Sequence, residues 1–266
     1  NCFYFQKTRI CFSRYVEFIE RVILGILILA VVTLPLLTAL FLKVANRFLN
    51  ELLTNFITIN AALLSVAVSF FMFGYLLLDK FKPIKFELFE WYPSPQIIFE
   101  FYLDGLSGVM MILISGLSLV IQLFSTSYMS KDEKYTKYFE YFNFFVFSML
   151  LLVLSGNFLV MFFGWELVGL SSYLLISFWY EKNSAAKAGN KAFILNRIGD
   201  FGFLIGLMMI LNYFETFNFV NIFESVLIKQ PSNLDLIILF LLLGAFGKSA
   251  QFPLFSWLPD AMEGPT

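Results

Sequence analysis

The stretch FLVMFFGWELVGLSSYLLISFWY, residues 158–180, decides the fold class. It is apolar almost throughout and carries one ionisable side chain, Glu166, near its middle. A helix that crosses the hydrocarbon core of a bilayer needs roughly 20 consecutive apolar residues, and this stretch is long enough. A surface helix of a soluble protein would show a charged face, which is missing here. The stretch therefore predicts a membrane-spanning helix.

The composition of the whole chain indicates the same class. Of its 266 residues, 59% are hydrophobic and 14% are charged, and the mean hydropathy is +0.80. Soluble domains have about a quarter of their residues charged, so this chain has too few charges to cover a soluble surface. A net charge of -1 gives no indication of nucleic-acid binding.

Seven apolar segments predict an all-α polytopic membrane protein with about seven transmembrane helices. They are residues 22–42, 56–78, 105–129, 138–155, 158–180, 185–213 and a segment that starts near 234. Pro35 is expected to kink the first. A small β-hairpin is predicted at residues 86–102, and a short interfacial helix at 217–228. This divides the chain into an N-terminal region of two helices (1–80), an extramembrane loop or hairpin (81–104) and a helical remainder (105–266).

The side-chain inventory argues against a bound cofactor or metal in this chain. Histidine is absent, and the two cysteines, Cys2 and Cys11, are predicted to be free thiols because no further ligands accompany them. No cysteine set could hold an iron–sulfur cluster, and no glycine-rich phosphate loop is present.

Glu166 is the first candidate functional residue. An ionisable group at the bilayer centre costs at least ~2.5 kcal/mol on insertion scales, so it needs a partner, water or a function. Gly164 and Gly169 flank Glu166 and would let a neighbouring helix approach closely. The functional interpretation is a carboxylate that exchanges a proton. The alternative is a structural carboxylate with one fixed partner.

Lys248 is the second candidate, because its helix is predicted to break just after it. Pro253 cannot donate a backbone hydrogen bond to Ser249 and crowds that turn. Broken helices at membrane depth line cavities and bind ions. The alternative is a lysine whose side chain extends to the membrane interface.

The sixth segment carries four charged residues, Lys187, Lys191, Arg197 and Asp200, of which the last three are candidates for the site. Lys191 is predicted to be a functional group that relays protons with Glu166 and Lys248. Arg197 and Asp200 are three positions apart, so they are predicted to form an ion pair that is structural or modulating.

Four motifs resemble a known family. They are LDGLS at 103–107, GWELVGLSSYLLI at 164–176, KAFILNRIGD at 191–200 and GKSAQFPLFSWLPDAMEGPT at 247–266. The sequence from about residue 85 onward is similar to chain 5 of respiratory NADH–ubiquinone oxidoreductase (complex I), and less similar to its sister chains 2 and 4. Subunits of Mrp-type cation/proton antiporters share several of these motifs and are the alternative. A purely structural membrane segment is a third hypothesis, against which the presence of Glu166, Lys191 and Lys248 argues.

The resemblance implies an antiporter-like bundle with a broken seventh helix, in which Glu166 pairs with Lys248 to form a proton half-channel. Lys191 would lie beside them, and Arg197 and Asp200 would modulate the pair. This family often has histidine at the positions of Gln122 and Phe255. The chain itself would carry no redox centre, since NADH, FMN, the iron–sulfur clusters and ubiquinone belong to the wider complex.

The resemblance also implies partners and a location. The partners would be other membrane subunits of complex I, including the sister antiporter-like chain 4, and lipids such as cardiolipin, but no nucleic acid. The location would be the mitochondrial inner membrane, which suits a composition with 36 Phe, typical of an AT-rich organellar genome. Because the sequence ends inside a motif at Thr266, a separate chain carrying the C-terminal half is expected, from a split gene or a cut chain.

Overall fold

The computed structural model describes residues 2–93, 96–228 and 233–265; within these ranges it describes the side chains from residue 19 onward, except at 21, 93 and 96. The thiols of Cys2 and Cys11 lie outside the described residues. The helices are α1 (Cys2–Ala45), α2 (Glu51–Leu78), α3 (Gly105–Tyr128), α4 (Tyr135–Val153), α5 (Phe158–Ile176), α6 (Asn183–Phe214), α7 (Phe219–Ile228) and α8 (Leu234–Lys248). Strands β1 (Ile84–Pro93) and β2 (Gln96–Leu103) lie between α2 and α3. Two 3-10 turns, Phe255–Trp257 and Asp260–Glu263, follow α8.

These elements confirm the all-α polytopic class with a small hairpin. Within the described residues, five helices are long and apolar enough to span a membrane: Val22–Ala45 of α1, and α2, α3, α5 and α6. The prediction of about seven spanning helices included two more. The helix α4 has 19 residues but carries tyrosine, lysine and glutamate in its first turns, and α8 has only 15 residues because it ends at Lys248. The helix α1 continues through Pro35.

Three helices begin at residues whose side-chain oxygens accept hydrogen bonds from the free backbone N–H groups of the first turn. Asn50 Oδ1 accepts from the Leu53 N–H at 2.9 Å at the start of α2, and Asn157 Oδ1 accepts from the Val160 N–H at 2.8 Å at the start of α5. Asp104 and Ser107 form a reciprocal capping box at the start of α3. The sequence thus sets these three helix starts locally.

The bundle has two large apolar regions and a third, small one formed by Ile176, Ala188 and Ala192 with Trp257 and Ala261 packed against them. The larger region joins α1 to α3 and α4, with buried side chains such as Ile28, Met111 and Phe139 at its centre. The smaller region joins α6 to α7 and α8 through Phe203, Leu207, Ile222 and Ile237. Both regions exclude water, so any charged group between the helices depends on a partner within the protein.

The hairpin is attached to the helical bundle through Glu100 on β2, whose residue is 1% exposed. Lys85 Nζ lies 2.8 Å from one carboxylate oxygen of Glu100, and Asn218 Nδ2 donates to the other at 2.6 Å. The Gly156 N–H donates to the Glu100 carbonyl at 2.9 Å. Burial lowers the pKa of Lys85, but the hydrogen bonds and charges of Glu100 and Glu87 outweigh it, so the pKa of Lys85 is raised. Glu100 therefore joins the hairpin to the α4–α5 and α6–α7 connections.

We expect Glu100→Gln to loosen the hairpin. The amide keeps a carbonyl that can accept from Asn218 but loses the ionic attraction to Lys85, at a cost of about 1–2 kcal/mol because Lys85 is partly exposed. Limited proteolysis and thermal inactivation in detergent measure the change. Glu87→Gln is the matched control, since Glu87 also contacts Lys85 but is itself 54% exposed. Equal sensitivity of the two variants would contradict this role of Glu100.

Candidate functional site

Helices α6 and α8 approach each other backbone to backbone. A Cβ atom placed on Gly199 would lie 3.0 Å from the Cα of Gly247, and one on Gly244 would lie 2.6 Å from the Cβ of Phe203. Such distances leave no room for larger side chains, and small residues let membrane helices pack this closely. The close approach brings the last turn of α8, which carries Lys248, against the middle of α6.

Lys248 lies in a buried cluster with Asp200 of α6 and Trp165 of α5. Its Nζ is 3.6 Å from Asp200 Oδ2, and the side chains are 16% and 4% exposed. Trp165 Nε1 donates to the other oxygen of Asp200 at 2.6 Å, and Lys248 Nζ lies 5.9 Å from the Trp165 ring centroid. Among the described residues, Lys248 Nζ has no hydrogen-bond partner. The ammonium of Lys248 is attracted by the charge of the Asp200 carboxylate and by the Trp165 ring.

Glu166 lies next to this cluster and forms an ion pair with Arg197 of α6. The Glu166 side chain is 21% exposed and that of Arg197 is 42% exposed. The guanidinium also lies over the Phe193 ring, 4.7 Å from its centroid. Two carboxylates and two cations therefore meet between α5, α6 and α8.

The predicted pairings are wrong, although all four residues do meet. Glu166 was expected to pair with Lys248, and Arg197 with Asp200, whereas Glu166 pairs with Arg197 and Asp200 with Lys248. The reason is helix geometry. Consecutive residues point about 100° apart, so Trp165 facing Asp200 turns Glu166 away from Lys248. Arg197 and Asp200 point about 60° apart, so Arg197 meets Glu166 of α5 while Asp200 lies between Trp165 of α5 and Lys248 of α8.

Lys191 lies apart from the buried cluster. Its Nζ is 2.7 Å from Asp260 Oδ2, and the two side chains are 42% and 45% exposed. Asp260 belongs to the second 3-10 turn, and Ser184 Oγ of α6 donates to Glu263 Oε2 of the same turn at 3.0 Å. We call the Lys191–Asp260 pair the mouth of the site. Among the described residues, the ion-pair partner of Lys191 is Asp260 and that of Glu166 is Arg197, so Lys191 and Glu166 do not pair with each other.

The predicted helix break is confirmed. The helix α8 ends at Lys248, and Ser249 lies at its C-cap, four residues before Pro253. Trp257 Nε1 donates to the Gly247 carbonyl at 3.0 Å and so satisfies one of the free acceptors of the last turn. Because the helix ends here, Lys248 is placed at a helix terminus inside the protein.

An aromatic stack closes the cluster on the side that faces the hairpin. The rings of Phe162 and Phe203 are 5.9 Å apart and nearly parallel, and those of Trp165 and Phe203 are 5.0 Å apart at 18°. Beyond them lies the smaller apolar region. The charges therefore have aromatic or apolar neighbours on the side of the hairpin. Toward the mouth, α6 carries the buried Asn196 and the small apolar group around Ala192.

Two residues of the site were not predicted. Trp165 stands next to Glu166 in the sequence, and its indole N–H needs a partner when buried. Asp260 is an acidic residue in the segment after the helix break, where a carboxylate could meet a lysine of α6. Both positions could have been examined from the sequence, but only the packing shows which partner each takes.

Two family models match the chain. Residues 155–266 match the transmembrane model described as "NADH:quinone oxidoreductase/Mrp antiporter, TM", and residues 91–139 match "NADH-Ubiquinone oxidoreductase (complex I), chain 5 N-terminus". NADH-ubiquinone oxidoreductase chain 5 of Metridium senile is 39% identical over 238 residues, covering 89% of this chain and 40% of the relative. NADH-quinone oxidoreductase subunit L of Mycobacterium tuberculosis is 42% identical over 187 residues, covering 70% of this chain and 30% of the relative.

Solved structures share the fold. The membrane-bound sulfane sulfur reductase, an archaeal respiratory membrane complex, contains a chain that superposes with a TM-score of 0.75 at 23% identity, covering 90% of this chain and 48% of that one. The Mrp complex from Dietzia contains one with a TM-score of 0.71 at 23% identity, covering 91% and 25%.

The fold and the buried charges define an antiporter-like membrane subunit of the kind found in respiratory complexes. Within that class, the chain belongs to the family of NADH–ubiquinone oxidoreductase chain 5 and its bacterial counterpart, subunit L. It spans 40% of the length of the Metridium senile relative.

Gly169→Ala is expected to displace Lys248. A Cβ atom at Gly169 would lie 2.6 Å from Lys248 Nζ, so the ammonium must move away and its 3.6 Å separation from Asp200 must change. High-resolution cryo-electron microscopy of the assembled protein measures that separation. Gly116→Ala in α3 is the matched control, because a Cβ there meets nothing within 4 Å. An unmoved Lys248 in the Gly169→Ala protein would contradict the packing described above.

Proposed function

We propose that this chain contributes an antiporter-like proton half-channel to the membrane arm of a proton-translocating NADH:quinone oxidoreductase, complex I. One observation carries the proposal: Glu166–Arg197 and Asp200–Lys248 lie side by side between α5, α6 and α8, and an aromatic stack covers the Asp200–Lys248 pair on the side of the hairpin. Charges are too costly at membrane depth to persist there without a function or complete neutralisation.

Lys248 is the residue best suited to release a proton. An ammonium without hydrogen bonds in a poorly hydrated site favours its neutral form, while Asp200 opposes the loss by attraction. The balance between these two effects changes when either side chain moves. Trp165 is a positioning residue, since its hydrogen bond fixes the orientation of the Asp200 carboxylate.

Glu166 is the proposed proton acceptor, and Arg197 controls it. Arginine does not lose its proton in proteins, so its presence keeps Glu166 a carboxylate. If Arg197 moves away, Glu166 is left as an uncompensated charge and takes up a proton. Lys191, paired with Asp260 at the mouth, would exchange protons with the solution. In this scheme Glu166, Lys191 and Lys248 relay protons, while Arg197 and Asp200 modulate the charge.

The driving force would come from other subunits. NADH, FMN, the iron–sulfur clusters and ubiquinone would act elsewhere in the complex, and this chain would contribute no redox centre. Arg197 is 42% exposed in an apolar helix bundle, which supports coverage of this face by further protein. Other membrane subunits of complex I, including the sister chain 4, and lipids such as cardiolipin are the proposed partners, in the mitochondrial inner membrane.

The second candidate is a subunit of a Mrp-type cation/proton antiporter. It is favoured by the description of the model matched at residues 155–266 and by the shared fold with the Mrp complex. The proton site would be the same, but no redox subunit would accompany it. Native gel electrophoresis of solubilised membranes, followed by mass spectrometry, separates the two. Migration in a very large NADH-oxidising assembly supports complex I, and a small complex without redox subunits supports the antiporter.

We expect Glu166→Gln to reduce proton pumping without preventing assembly. The amide has nearly the same shape but cannot take up a proton, so the transfer step should slow about 100-fold. Protons moved per NADH oxidised in membrane vesicles measure the effect. Glu133→Gln, in the exposed connection between α3 and α4, is the matched control. Full pumping by an assembled Glu166→Gln complex would overturn the role of Glu166.

A further inference from the structure

A buried amide lies on α6 between the mouth and the buried charges. Asn196 is 6% exposed, and its Nδ2 donates to the Ala192 carbonyl at 2.8 Å, one turn toward the start of α6. Its other polar atom, Oδ1, has no hydrogen-bond partner among the described residues. A buried carbonyl without a partner is costly, and ordered water commonly satisfies such groups.

A second buried polar atom without a hydrogen bond faces the same helix. Lys248 Nζ is a donor without an acceptor at hydrogen-bond distance, and it lies 3.6 Å from Asp200. Asn196 and Asp200 are four positions apart on α6, so their Cβ atoms are roughly 6 Å from each other. The α8 backbone at Gly247 lies against the same turn, since a Cβ there would be 3.6 Å from the backbone carbonyl oxygen of Asn196. The free acceptor, Asn196 Oδ1, and the free donor, Lys248 Nζ, thus belong to the two sides of one helix interface.

The turn of α6 that precedes Asn196 carries Lys191, which belongs to the mouth of the site. Lys191 is five positions earlier on α6, and its partner Asp260 belongs to the segment that follows α8. Trp257, in that segment, bonds the Gly247 carbonyl, so the segment lies over the end of α8. Along α6, Asn196 therefore lies between Lys191, whose partner is an exposed carboxylate, and Asp200, whose partner is a buried ammonium.

We propose that the Asn196 amide holds a water molecule that connects Lys248 to the Lys191–Asp260 mouth. This inference rests on the proposed proton-transfer function and adds a residue to its route. The water donates one hydrogen to Asn196 Oδ1 and accepts one from Lys248 Nζ. Asn196 itself never gains or loses a proton; it is a positioning residue.

Protons and charges balance when a proton moves from Lys248 to Asp260 through the bound water. Lys248 Nζ gives its proton to the bound water, and the water releases another proton, through further water, to the carboxylate of Asp260. Lys248 becomes a neutral amine and Asp260 a neutral acid, so one positive and one negative charge disappear together. The water ends the step as water.

A second buried asparagine shows what a structural amide looks like in this protein. Asn143 of α4 is 2% exposed, and its Nδ2 donates to the Phe139 carbonyl at 2.9 Å, as Asn196 does to Ala192. Its Oδ1 accepts from Gln122 Nε2 at 3.5 Å. The two residues have the same backbone bond and similar burial, but only Asn196 has a free carbonyl.

The first experiment examines the assembled complex by cryo-electron microscopy at a resolution that shows water. We expect density at hydrogen-bond distance from Asn196 Oδ1 in the natural protein, and none at the side chain in Asn196→Leu, which has a similar volume. The natural protein alone decides this point, so a variant that failed to assemble would not prevent the test. If the map of the natural protein shows no water at hydrogen-bond distance from Asn196 Oδ1, the proposal is overturned.

The second experiment measures proton transfer. Asn196→Leu should slow proton pumping about tenfold, the effect of losing one hydrogen bond of ordinary strength. Asn196→Ser should keep most of the rate, because a hydroxyl and the space it leaves can hold water. Asn143→Leu is the matched control and should leave pumping unchanged in assembled complexes. Unchanged pumping by Asn196→Leu would overturn the proposal.

The two proposals can fail separately. If Glu166→Gln lowers pumping but Asn196→Leu does not, the water bridge is wrong and the proton half-channel stands. If Glu166→Gln has no effect, the half-channel itself is wrong.

Discussion

The cost of placing charge at membrane depth governs this structure. Lys248 and Asp200, on facing helices, are each deprived of water, and each would be far more costly without the other. Their meeting requires α6 and α8 to touch along their backbones, which explains the glycines at 199 and 247. It also requires α8 to end where it does, so that the lysine lies at a helix terminus inside the protein. Close packing, a broken helix and a buried ion pair thus depend on one constraint.

That constraint leaves the charges balanced but not fully hydrogen-bonded. Asp200 has Trp165 as a donor, whereas Lys248 Nζ and Asn196 Oδ1 have none among the described residues. Most buried polar atoms in folded proteins have a hydrogen-bond partner, so two unpaired atoms on facing helices are unusual. Incomplete bonding leaves small free-energy differences between protonation states, which a proton-transfer site needs. The aromatic stack of Phe162, Phe203 and Trp165 separates the charges from the hairpin and so makes the surroundings of the site asymmetric.

The hairpin has a different role from the charged cluster. Through Glu100 it joins two connections between helices, α4–α5 and α6–α7. These are the connections on which the positions of α5 and α6 depend at that end of the bundle. Lys85 is accessible to solvent while Glu100 is not, so the ion pair is formed at the border between water and the protein interior.

The sequence by itself determined the fold class, some of the helix ends and most of the charged residues of the site. Apolar length predicts spanning segments because a bilayer core has a fixed thickness, and the starts at Asp104 and Asn157 follow from local capping. The break after Lys248 followed from Pro253, again a local effect. The tertiary structure decided the partners. Adjacent side chains of α5 meet different residues of α6: Trp165 reaches Asp200, whereas Glu166 reaches Arg197. Lys191 of α6 reaches Asp260 in the segment after α8. Which of two adjacent side chains meets a given charge depends on the rotation and spacing of packed helices, and these are set by contacts distant in the sequence.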